Sequence, residues 1–185
     1  MKTLDPRGFG LVCATGAVVV GLVVAGCANR VEGTANPNTA DLAAYKTEAA
    51  ASSAAATSSK RAAAQTKAIT DNCSQFPTTT GVGVSKYNEF VDAHDANAPD
   101  YAAKRELAAS TLDDAANKVE TGVNTAKDSL PGELATKFTD YVTAARALSG
   151  ETRRMTYTAP VGPLNEASRR VNDARNAVRD ACPKR

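Results

Sequence analysis

One histidine, His94, sits in the string Val91-Asp-Ala-His-Asp-Ala-Asn97 with Asp92 and Asp95 close by. An imidazole beside carboxylates has the composition of a general base or a metal ligand. That chemistry also needs a nucleophile or further ligands converging on one point, and neighbouring positions on a helix point in different directions. The chain has no Gly-x-Ser-x-Gly, no His-Glu-x-x-His, no phosphate-cradling glycine loop and no Cys-x-x-Cys. The expectation is therefore no enzyme, no metal and no cofactor, with His94 structural. Asp113-Asp114 and Arg153-Arg154 have no complementary constellation in the sequence and read as solvated charge. Tyr87 and His94 fall seven residues apart, two helical turns, on one face with Phe90 and Val91. With Tyr141 and Met155 they are the polar or soft side chains suited to lining a pocket.

The four cysteines carry more information. Residues 1–26 have a short positive start at Lys2 and Arg7, an uncharged stretch from Gly8 to Val24 and a small-residue ending, the pattern of a secretory signal peptide. The stretch is also of transmembrane length, so an uncleaved anchor is the alternative. Val24-Ala25-Gly26-Cys27 has the branched-aliphatic, small, small, Cys order of a bacterial lipobox, which favours lipidation of Cys27 over a retained span. Cys13 would be lost with the signal. Cys73 and Cys182 remain in an oxidising compartment and read as one disulfide closing a long loop, two separate buried thiols being the alternative. The stretch Arg30-Val-Glu-Gly-Thr-Ala-Asn-Pro37 resembles the start of exported lipoproteins of mycobacteria and other actinobacteria, where V-x-G-x-A-x-P follows the acylated cysteine. The resemblance implies a cell-envelope location and no particular chemistry. Phe90-Val-Asp-Ala-His94 is similar to a stretch of the small exported haem-binding proteins of mycobacteria, although the bracketed region is longer here and no second histidine exists. That likeness implies carriage of a small hydrophobic ligand such as haem or lipid, with Tyr87 and His94 as its contacts.

These groups need elements to hold them. Ala28 to Thr39, with Gly33 and Pro37, is too polar and broken to pack, so residues 27–39 read as a lipidated cysteine and a flexible tether. From Ala40 to Ala64, 12 of 25 residues are alanine, which favours helix and buries little. Residues 40–72 are expected to form an Ala-rich helix, or else a disordered stalk. Gln75 to Gly83 contains Pro77, Gly81 and Gly83 and reads as a turn-rich connector. Helices follow over Ser85–Asn97, from an Asn97 cap through Val123, from Ser129-Leu-Pro131 past Leu148, and over Leu164–Ala181. Leu134, Phe138, Tyr141, Ala145 and Leu148 step by four and three, as do Leu164, Ala167, Val171, Ala174 and Val178. No segment alternates as a strand does.

The fold expected is all-α: a small antiparallel helical bundle at residues 73–182, bracketed by the disulfide, behind a long Ala-rich N-terminal helix or stalk. With 185 residues, no Trp and 5% aromatics, its core is thin. The net charge of +2 becomes +1 once Lys2, Arg7 and Asp5 are removed, which excludes a general nucleic-acid binder. The function expected is that of a protein lipid-anchored on the outer face of the cell membrane, with a structural or interaction role and a possible envelope protein partner.

Overall fold

The computed structural model describes residues 38–184. Four α-helices occupy most of them: α1 (Thr39–Asp95), α2 (Tyr101–Ala126), α3 (Gly132–Arg154) and α4 (Gly162–Ala181), with one 3₁₀ turn at Lys127–Ser129. The described residues contain no strand, as the periodicity requires. The signal peptide, Cys27 and most of the tether lie outside the described residues. Asn38 starts α1, its side-chain oxygen accepting from the Ala40 amide at 3.1 Å.

The core forms where the apolar stripes meet. Tyr101, Ala108, Leu112, Ala115 and Val119 of α2 are buried, with Leu134, Phe138, Tyr141, Ala145 and Leu148 of α3 and Leu164, Ala167, Val171 and Val178 of α4. Each set follows the three-four stepping read from the sequence. Wholly buried Ala108, Ala116 and Ala145 leave room for Phe90, Phe138 and Tyr141. Cys73 and Cys182 are bonded, with Cα atoms 5.7 Å apart, which ties α1 to the end of α4.

Two local expectations fail. The turn at Gln75–Gly83 does not form; α1 runs through it as one 57-residue helix with Pro77 inside. Its buried residues Phe76, Thr80, Gly83, Tyr87, Phe90 and Ala93 keep a helical step across the supposed break. Burial of that stripe outweighs the missing Pro77 amide and the weak propensity of the glycines. Gly83 has a packing role: a Cβ there would lie 3.3 Å from Leu112 Cδ2. Gly122 is its counterpart, a Cβ there lying 2.4 Å from Asn72 Oδ1. The pairs 83 with 112 and 72 with 122 run in opposite order, the register of antiparallel neighbours. Asn97, expected to cap α2, instead ends α1. Its φ is 49°, and the Ala98 amide donates back to Ala93 O at 2.9 Å. Asn tolerates this left-handed conformation, which a helix C-terminus uses to satisfy its last carbonyls.

Gly81 faces open space in a helical conformation. Gly81→Ala is therefore expected to raise stability by about 0.5–1 kcal/mol, read as an upward shift in the urea midpoint at constant slope.

Candidate functional site

The last turns of α1 meet the α3–α4 connection at a cavity of about 220 Å³, lined by Tyr87, Phe90, Val91, His94, Asp95, Met155, Val161, Leu164 and Asn165. Tyr87 and His94 thus share one site, two turns apart on α1. Met155 joins them from the end of α3, held by Arg105 Nη1 donating to its carbonyl at 2.9 Å. Tyr141 does not join them. It is 1% exposed in the core, edge-on to Phe76 at 5.0 Å between ring centroids.

His94 is held on several sides. Its Nδ1 lies 3.2 Å from Asp95 Oδ1. Its ring sits 5.6 Å from Tyr101 and 5.7 Å from Tyr157, and those two rings stack at 4.5 Å. The Tyr157 hydroxyl donates to Ala98 O at 3.1 Å, fixing the outer ring. His94 Nε2 is buried without a protein partner, as is the Tyr101 hydroxyl. A buried polar atom without a partner is costly and marks a place where a guest or water can bind. Burial pushes the phenols of Tyr87 and Tyr101 up from their ordinary range; a Ser168 hydrogen bond opposes this at Tyr87 and the Arg105 charge opposes it at Tyr101. Both stay neutral donors at physiological pH. Among the described residues no three His, Cys, Asp or Glu side chains converge as a metal site. The chemistry on offer is a hydrogen bond from or to an imidazole at the mouth of an apolar cleft.

A second feature was not legible in the sequence. Two contiguous clefts of about 410 and 420 Å³ run between α1 and α2 and share Asn72, Gln75 and Gly122. They join residues about fifty positions apart, and only the helix register brings their amides together. The same applies to charge. Asp113 and Arg153, read as solvated, pair across α2 and α3 at 2.7 Å, with Glu106 at 3.4 Å and buried Ser149 at 2.8 Å from the same guanidinium. Two turns along, Arg146 binds Glu120 at 2.7 Å and Asn117 at 2.8 Å, and its hydrogen bond lowers the Glu120 carboxyl pKa. These exposed pairs set the α2–α3 register more than they stabilise it.

Tyr141 gives a pH prediction instead. Burial raises its pKa to about 12, with the Arg175 charge opposing. The unfolded chain ionises near 10. Folding stability from this group is complete below pH 10 and is lost as pH rises towards 12, by roughly 2–3 kcal/mol. Alkaline unfolding followed by circular dichroism is expected to lose this component in Tyr141→Phe.

The sequence model of one family, described as the Rv2240c four-helix bundle domain, matches residues 55–183, more than half of the chain. The chain belongs to this family. No curated protein and no solved structure matches it. The match takes in α2, α3, α4, most of α1 and both disulfide cysteines, and it begins within α1 upstream of Pro77. The family carries a mycobacterial name, in keeping with the actinobacterial character read from Arg30–Pro37.

Proposed function

We propose that this protein is moored to the outer face of the cell membrane through lipid on Cys27 and serves a structural or interaction role in the envelope. The supporting observation is the first half of α1. All 29 residues from Thr39 to Lys67 are exposed, whereas Phe76 and its successors pack into a bundle. A helix of that length spans roughly 43 Å along its axis. A lipobox cysteine, a short tether, an uncovered helix and a disulfide-closed bundle make a sequence of parts suited to presenting a domain rather than turning over a substrate. No described helix is long and apolar enough to cross a membrane.

The test is processing at Cys27. Cys27→Ala, or inhibition of lipoprotein signal peptidase, is expected to leave unprocessed precursor and to abolish lipid labelling of the chain. Membrane fractions containing full-length, unlabelled wild-type chain would instead support an uncleaved span.

The His94 cavity favours a second reading, carriage of a small hydrophobic ligand, because Tyr87, His94 and Met155 converge there around an unpartnered Nε2. Its volume lies below the roughly 300–1,000 Å³ of typical ligand pockets, which favours a ring-sized guest over haem. Chain purified from an envelope-like source and examined by mass spectrometry for a co-purifying small apolar molecule separates the two readings.

A further inference from the structure

Among the described residues, Thr80, His94, Tyr101, Arg105 and Arg175 each keep a buried side-chain nitrogen or oxygen without a partner. Of these only His94 also lines the cavity of about 220 Å³ between the end of α1 and the α3–α4 connection. The orphan atom is Nε2, and its role follows from the other ring nitrogen. Nδ1 faces Asp95 Oδ1 at 3.2 Å. An ionised carboxylate only accepts, so Nδ1 holds the ring proton and Nε2 of the neutral imidazole presents a lone pair. That lone pair requires a donor. The Tyr87 hydroxyl is engaged with Ser168, so its ring serves as wall beside Phe90, Met155 and Leu164.

Charge narrows the guest further. No lysine or arginine lines the cavity, so an anion would leave water with nothing to replace it. A cation would meet apolar walls and only the Asp95 carboxylate, whose side chain is 75% exposed and screened by solvent.

We infer, building on the ligand-carriage reading, that the cavity takes an uncharged one-ring guest bearing a hydroxyl, whose O–H donates to His94 Nε2 while the ring packs on Phe90, Met155 and Leu164. Benzene fills a cavity of about 150 Å³, so the larger space here admits a ring with a short substituent. The rings of Tyr101 and Tyr157, 5.6 and 5.7 Å from the imidazole, hold the acceptor in place before a guest arrives.

The test uses the purified full-length chain at about pH 8, above the ordinary imidazole range. The probes share one shape: p-cresol, toluene, p-toluate and 4-methylbenzylammonium. Calorimetry gives affinities, and histidine labelled with ¹⁵N reports contact from a single ring, because His94 is the only histidine. p-Cresol is expected to bind about tenfold more tightly than toluene, the effect of one hydrogen bond. It is expected to move the Nε2 resonance while Nδ1 keeps its proton, and neither charged probe is expected to compete. His94→Phe is expected to erase the preference for cresol and retain toluene; if that variant does not fold, the ratio on the wild-type chain decides. Val161→Trp, at a 47% exposed position on the cavity wall, is expected to exclude all probes. Equal affinity for cresol and toluene, or a proton found on Nε2, would overturn recognition of a hydroxyl and leave carriage standing. Tighter binding of a charged probe would overturn the uncharged assignment. No binding of any probe, or binding that Val161→Trp leaves intact, would overturn the carriage reading as well.

Discussion

Replacing Cys73 with serine is expected to remove about 4–5 kcal/mol of folding stability, the loop-entropy value for closing a loop of this size. The bond joins residues 109 positions apart and encloses the C-terminal part of α1 and all of α2, α3 and α4. Natural domains of this size are stable by about 5–15 kcal/mol, so losing this bond threatens the fold itself. Urea unfolding of the oxidised chain and of the Cys73→Ser, Cys182→Ser and double variants checks it. All three variants are expected to lose the same amount, because each removes the same crosslink. A loss below about 1 kcal/mol would show that the reduced ensemble is already compact. Structurally the bond sits just past Ala68, where α1 becomes buried, so the variants are expected to lose amide protection first around residues 68–76.

The second large effect is expected at Phe76. Its ring is 3% exposed and meets both Phe138 at 5.4 Å and Tyr141 at 5.0 Å edge-on. Phe76→Ala is expected to cost about 3–5 kcal/mol from lost burial and the cavity it leaves. Edge-on aromatic contacts contribute part of this. The residue has a further consequence because Pro77 follows it. Proline inside a helix costs about 3 kcal/mol relative to alanine, and here it leaves the Cys73 carbonyl without its usual donor. Phe76 on one side of that defect and Thr80 on the next turn hold the helix together by packing. Pro77→Ala is then expected to stabilise by about 1–2 kcal/mol, the helix gain reduced by the greater freedom of the unfolded chain. Thermal unfolding of the two variants, read at one pH, checks both signs. A Pro77→Ala chain less stable than wild type would mean that the proline, not the packing, shapes this part of α1.

Much of the bundle was legible because amphipathic periodicity is a local property of the chain. The steps at Leu134, Phe138, Tyr141, Ala145 and Leu148 identify a buried face without reference to any partner, and those residues are buried. The Cys73–Cys182 pairing was legible too, since the expectation of export leaves two cysteines and one intramolecular pairing. Residues 75–83 were misread for a physical reason. Pro77, Gly81 and Gly83 lower helix propensity, but propensity is worth about 1–3 kcal/mol per residue and a buried stripe containing Phe76 and Tyr87 is worth more. Asn97 was assigned to the wrong helix end because Asn suits both a first-turn cap and a left-handed terminus.

At the candidate site, Tyr87 and His94 share a face by their two-turn spacing on α1, and Met155 lines the same cavity from the end of α3. Tyr141 was not separable from them in sequence, since burial in a core and burial in a pocket favour the same residue type. The pairing of Asp113 with Arg153 and the Asn72–Gly122 approach depend on the α2–α3 and α1–α2 registers.

From residue order alone came the helical class, the core faces of α2, α3 and α4, the Cys73–Cys182 bond, and the expectation of lipid at Cys27. Each is a property of residue type and spacing along one stretch, or of the compartment in which cysteines oxidise. Only the tertiary arrangement decided that α1 is continuous through Pro77, that its first half is left uncovered, and which side chains surround His94. Those outcomes depend on burial between segments far apart in the chain, where packing energy outweighs the local preferences that a sequence displays.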